Sequence, residues 1–189
     1  SFVAANLLAL PQTNDRRLLG YSSIAQVGLV LVVLGQRDIL GEATYFIAGG
    51  ILLGHAVAKA GLFWLSGMIQ ERDLSAWAAL RQYPLRLFAF VTFIALLSGL
   101  PPFPGFYAKW DLLHALAGAG RFWLLGLILF GALVESGYLF RWLGYLIKRP
   151  APEAMLDSRM NQRIPVLVAV AASWGLGYLW GNLSSHGNL

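Results

Sequence analysis

Five long apolar stretches set the possibilities for this chain: Leu18 to Gly35, Tyr45 to Met68, Leu85 to Leu116, Phe122 to Ile147 and Ile164 to Trp180. Each can cross a hydrocarbon core about 30 Å thick, which takes about 20 residues of helix. The expected fold class is therefore all-α, a polytopic transmembrane helix bundle. Residues 1–189 form a single transmembrane domain in this reading, with residues 1–10, apolar but too few to cross, as the tail of a preceding helix. Composition agrees: 58% of residues are apolar and 12% charged, about half the ~25% charge of a soluble protein. That excludes disordered, coiled-coil and ordinary globular classes. With no cysteine, disulfide frameworks, cysteine-ligated zinc and thiolate catalysis are excluded as well.

The third stretch, 85–116, is too long for one straight span. It contains Leu100-Pro101-Pro102-Phe103-Pro104-Gly105, where three prolines remove backbone donors and push the residues before them out of the α region. The helix must break at Pro101, Pro102, Pro104 and Gly105. Broken helices at membrane depth are tolerated where protein or a water-filled cavity surrounds them, and they mark ion sites in transporters.

Basic residues give the orientation, since cytoplasmic loops collect Lys and Arg. With alternating spans, one side holds Arg16, Arg17, Arg72, Arg81, Arg86, Arg141, Lys148, Arg149, Arg159 and Arg163, and the other only Arg37 and Arg121. The Asn14 to Arg17 turn, the Gln70 to Tyr83 loop and the Lys148 to Arg163 loop are then cytoplasmic, and the C-terminus is not. The net charge of +5 is a topology signal that needs no nucleic acid, with attraction to anionic lipid as a secondary effect. A bacterial inner membrane is the expected location. Gly49, Gly50 and Gly54 predict close helix approach.

Two of the 14 basic residues fall in spans, Lys59 and Lys109. Lys59 lies about three residues past the middle of its stretch, within about 5 Å of the bilayer midplane. A charge there costs several kcal/mol, which makes it a functional candidate. His55 stands one turn earlier on the same face, and Ser66 about two turns beyond. Two titratable groups and a hydroxyl on one stripe suit a hydrated proton path; the plainer reading is hydrogen bonding to neighbouring helices. Lys109 sits in the first turn of the half-helix that restarts after the prolines. The positive end of that helix and poor solvation both disfavour the ammonium form, so the amine is suited to taking up and releasing a proton. Glu135, midway along its span, is read as a counter-charge for one of the lysines or as a proton relay. Asp111 and His114 read as a hydrogen-bonded pair near the membrane surface, and the Tyr21-Ser22-Ser23 run with Gln26 as a wetted or helix-bridging side. No nucleotide loop, metal-ligand cluster or nucleophile with an adjacent base occurs. The chain is therefore expected to do no bond-making chemistry and to bind no cofactor or metal.

Three stretches together resemble the antiporter-like subunits of respiratory complex I and their relatives in Mrp cation antiporters, membrane-bound hydrogenases and inorganic-carbon uptake complexes. Residues 12–28, QTNDRRLLGYSSIAQVG, are similar to the family's QTDLKRLLAYSSISQMG; His55-Ala56-Val57-Ala58-Lys59-Ala60-Gly61-Leu62-Phe63 to HAxxKALLF; and Gly99 to Trp110 to GLPPxxGFxxK. The resemblance covers roughly residues 1 to 120, with motif order and spacing preserved. It implies a fold of about fourteen helices with two inverted repeats, this chain supplying the end of the second repeat and the C-terminal helices. It also implies proton transfer through His55, Lys59 and Lys109; Glu135, Tyr107, Ser66, His114 and Arg16 are the supporting candidates beside them. Arg16 replaces the family's lysine. A guanidinium does not deprotonate in proteins, so Arg16 is expected to set the local field rather than relay. On the resemblance, the chain is the ion-translocating subunit of an NADH:quinone oxidoreductase type complex. Its partners would be other membrane subunits, the bilayer and protons, with Na⁺ as the less favoured ion. Quinone, flavin and iron–sulfur clusters would reside in partner subunits. A cation antiporter, hydrogenase or carbon-uptake subunit shares these motifs, and a non-conducting membrane anchor is the alternative of another class.

Overall fold

The computed structural model describes residues 1–69, 71–148 and 163–186. Arg149 and Arg159, and with them most of the third basic loop, lie outside the described residues. The chain runs through α1 (Phe2–Ala9), α2 (Asp15–Leu34), α3 (Arg37–Leu40), α4 (Ala43–Met68), a 3₁₀ helix (Leu74–Gln82), α5 (Pro84–Ser98), α6 (Pro104–Gly118), α7 (Phe122–Lys148) and α8 (Arg163–His186). Among the described residues, the only pairing of extended backbone is one antiparallel bridge, Asn14 with Asp73. Four helices are long and apolar enough to cross a membrane: α2, α4, α7 over 122–147 and α8 over 164–182. The 15-residue α5 and α6 are each about 22 Å long, short of a bilayer core. Both contact α4, and together they make the discontinuous span.

The break has a defined chemistry. Gly99, at φ +70°, ends α5 in the left-handed conformation. The Gly99 and Leu100 N–H groups turn back to the carbonyls of Leu96 and Ala95, at 3.2 and 3.0 Å, which satisfies helix-end acceptors that lipid would leave bare. Pro104 opens α6 in the first turn, where a missing N–H costs no hydrogen bond. Small residues let α4 approach its neighbours closely: a Cβ on Gly54 would lie 3.6 Å from the Gly105 nitrogen at the interruption, and one on Gly50 2.8 Å from the Trp180 ring of α8.

At the arginine-rich end, the Asp15 N–H donates to the Arg72 carbonyl (3.0 Å) and the Leu74 N–H to the Thr13 carbonyl (2.8 Å). Asn14 and Asp73 cap the helices that follow by accepting from the N–H groups of Arg17 and Ser75. The segment read as the Gln70 to Tyr83 loop thus carries a 3₁₀ helix with a buried apolar face of Leu74, Trp77, Ala78 and Leu80. Trp77 meets Phe90 of α5 and Trp142 of α7 at ring centroid distances of 4.9 and 4.6 Å. Arg141 of α7 donates to the Leu10 carbonyl and, at 2.5 Å, to the Gln12 carbonyl, capping the C-terminal end of α1 where a cation is favoured. Arg141→Ala is expected to cost about 1.5–3 kcal/mol, the usual range for hydrogen bonds from a charged donor. Thermal unfolding of the detergent-purified protein would measure it. At the opposite end, Arg121 and Asp38 pair at 2.8 Å, with both side chains in the open, where such a pair contributes little.

Candidate functional site

α4 presents His55 and Lys59 from adjacent turns and Ser66 two turns further on. Lys59 is 6% exposed, and its Nζ donates to the main-chain carbonyl of Leu19 in α2. That carbonyl also accepts from Ser23 Oγ at 3.0 Å. An ammonium has three N–H donors, and among the described residues Lys59 has this one protein acceptor. Ser66 Oγ donates to Asp15 Oδ2 at 2.6 Å, and Arg72 Nη1 donates to the Ser66 carbonyl at 2.8 Å. Ser66 thus belongs to a polar cluster at the arginine-rich end, seven residues or about 10 Å along α4 from Lys59.

Lys109 does not extend away from the break. Its side chain folds back over Gly99, where an added Cβ would lie 3.3 Å from Lys109 Cδ and 3.4 Å from Nζ. From there Nζ reaches Glu135 Oε2 of α7 at 3.2 Å. The amine thus lies over the C-terminal end of α5 and faces a carboxylate of α7. Glu135 is 2% exposed, and its Oε1 has no hydrogen-bond partner. The carboxylate therefore pairs directly with Lys109, while Lys59 lies within its electrostatic reach. His55 is in electrostatic reach of both lysines, and its Nε2 is buried without a partner. His55 and Lys59 belong to α4, Lys109 to α6 just after the break and Glu135 to α7.

Other sequence candidates lie elsewhere. Tyr107 packs against α8, its hydroxyl 3.2 Å from where a Gly181 Cβ would be. Asp111 and His114 line a recess of about 330 Å³ with Ile39, Ala43 and Trp110, toward the end opposite the arginines. Arg16 is exposed at the start of α2, off the buried axis. Its neighbour Asp15, fully buried, is the residue of that motif that reaches inward. Sequence reasoning passed over Asp15 because a carboxylate in the first turn is an ordinary helix-end feature. It also passed over Asn6 and Tyr138, which are fully buried and joined by a 3.1 Å bond from the tyrosine hydroxyl to Asn6 Oδ1; the available signal was the spacing of Tyr138, one turn after Glu135. Among the described residues, no group of three or more His, Cys, Asp or Glu side chains is arranged to hold a metal ion.

The transmembrane family described as NADH:quinone oxidoreductase/Mrp antiporter matches residues 1–134. The chain belongs to this family. Among antiporter-family relatives, it is 31% identical to NADH-quinone oxidoreductase subunit N of Myxococcus xanthus, over 96% of this chain and 42% of that protein. It is 30% identical to F(420)H(2) dehydrogenase subunit N of Methanosarcina mazei, over 93% of this chain and 38% of that protein. Its fold matches a chain of respiratory complex I from Thermus thermophilus with a TM-score of 0.74 and 30% identity, over 98% of this chain and 43% of that one. The chain thus spans about two fifths of the length of these relatives. The all-helical fold with a discontinuous span and the integral-membrane character read from the sequence both stand.

Proposed function

We propose that this chain forms the C-terminal part of a proton-translocating, antiporter-like membrane subunit of a complex I-type oxidoreductase. The observation that carries the reading is a pair of lysines inside the bundle, Lys59 buried on α4 and Lys109 partly buried at the helix break. Lys109 pairs with Glu135 across the interruption, Lys59 is held by one carbonyl, and His55 Nε2 and Glu135 Oε1 are buried without a hydrogen-bond partner. An unsatisfied buried polar atom costs about 1–3 kcal/mol, and bound water is the usual remedy. Protons would move between Lys59, His55 and the Lys109–Glu135 pair through such water. A change of charge in a neighbouring subunit would load or empty Lys59 electrostatically. The Asp15–Ser66–Arg72 cluster stands at the arginine-rich end, which the distribution of basic residues makes cytoplasmic, with the C-terminus on the other side. Proton is favoured over Na⁺ because the central groups are amines and an imidazole, whereas Na⁺ prefers oxygen donors. Redox cofactors would belong to partner subunits. The likeness to a subunit of F(420)H(2) dehydrogenase supports the same membrane role beside a different electron donor.

The test uses the full-length subunit in its assembled complex, reconstituted in vesicles with a pH-sensitive dye inside. Lys59→Met and Lys109→Met are each expected to abolish substrate-driven acidification while the complex still assembles. Undiminished acidification in both would overturn the proposal and leave the membrane-anchor reading.

A further inference from the structure

A recess of about 190 Å³ opens at the arginine-rich end of the bundle. Its walls come from the end of α4 (Met68), the start of α5 (Leu85 and Arg86) and the start of α8 (Val166 and Leu167), with Gln82 and Tyr83 just ahead of α5. Met68 lies nine residues, or about 13 Å along α4, from Lys59, so the recess is separate from the lysine axis. Arg86 is the exception in a mostly apolar lining: it is 6% exposed and permanently charged. The Tyr83 ring, 4.7 Å from the guanidinium carbon, stacks against it. The five N–H donors lie in the guanidinium plane, where stacking does not engage them. Leu85 and Leu167 are exposed, and so are Phe88 and Ala171, one turn deeper on the same faces of α5 and α8. These two helices contact each other. The recess therefore heads a stripe of exposed apolar side chains that runs from the arginine-rich end toward the membrane interior.

We propose that this recess binds an anionic phospholipid, with the lipid phosphate on Arg86 and an acyl chain along the stripe between α5 and α8. Charge complementarity selects the headgroup. A guanidinium fork can bond two phosphate oxygens at once, and basic recesses between membrane helices on the cytoplasmic side bind phospholipid head groups. A zwitterionic lipid would bring a second cation to an end already rich in arginine. The apolar walls select a lipid over a soluble anion, because only a lipid covers Leu85, Leu167 and the stripe below them while it meets the charge. The inference needs the chain to span a membrane and stands whether or not protons move along Lys59 and Lys109.

The test uses the full-length subunit in its assembled complex, reconstituted with phosphatidylglycerol that carries a photoreactive diazirine in one acyl chain. After illumination, mass spectrometry of the peptides should find label within residues 84–88 and 164–171. Excess unlabelled phosphatidylglycerol should suppress that label, and phosphatidylcholine with the same chains should leave most of it. Arg86→Gln should lower the labelling several-fold. Leu167→Trp, which fills the recess and leaves every charge in place, should lower it as well, and it decides the matter if Arg86→Gln fails to assemble. Equal competition by phosphatidylcholine would reduce the site to an apolar seam that does not read the headgroup, and suppression by inorganic phosphate alone would make it a site for a soluble anion. Either result overturns the proposal, as does an absence of label in these segments or parental labelling in an assembled variant.

Discussion

Glu135→Leu is expected to destabilise the protein by about 3–5 kcal/mol, the cost of stranding one member of a buried ion pair. Lys109 has no other carboxylate within salt-bridge distance among the described residues. Its side chain is 13% exposed and lies across the helix interruption, so it has little room to reach bulk water. Pairing the change with Lys109→Met removes both charges, and an apolar pair of similar volume is often neutral or stabilising. Most of the lost stability should therefore return in the double variant, while substrate-driven acidification should stay absent. Thermal unfolding of single and double variants in one detergent reads the first effect, and the vesicle assay the second. A double variant as unstable as Glu135→Leu would mean that the carboxylate serves contacts other than Lys109.

Trp77→Ala should cost a further 3–5 kcal/mol, the range for emptying an aromatic site in a core, and its effect should be local. Trp77 is the residue by which the 3₁₀ helix enters the bundle. Its ring touches Phe90 and Trp142, which also meet each other at 5.3 Å. Such aromatic pairs contribute about 0.5–1.5 kcal/mol beyond burial alone. Without the indole, the Leu74–Gln82 segment keeps its Asp73 cap but loses its largest anchor. Protease cleavage should then appear between Arg72 and Arg81 in the folded protein, together with a lowered midpoint of thermal unfolding. Trp77→Phe should retain much of both. Cleavage unchanged from the parent would show that the smaller side chains Leu74 and Leu80 suffice to hold the segment down.

Hydropathy alone made the membrane helices legible, because a bilayer imposes a length and a polarity that few other environments do. The break was legible for a stronger reason: three prolines and a glycine in six residues leave no helical alternative. Lys59 and Lys109 stood out by the cost of placing them in hydrocarbon. Their surroundings did not, since partner choice depends on where separate helices meet. Sequence spacing counted the positive end of α6 against Lys109, but it could not show the side chain folding back over Gly99 to Glu135. In the same way Ser66 fell on the stripe of Lys59 by periodicity, yet it bonds Asp15, which is 51 residues away. The 3₁₀ helix was hidden by its short length and by the charged residues flanking it. Tyr138 looked like one more aromatic residue in an apolar run.

The route of the Lys109 side chain over the interrupted backbone has a mechanical consequence. Its amine is anchored to α6, its carboxylate to α7, and the joint between the two half-helices lies directly beneath the methylene stem. Any flexing at that joint changes the gap between cation and anion, and their attraction varies inversely with that gap. The strength of this ion pair is thereby tied to the shape of the interrupted span.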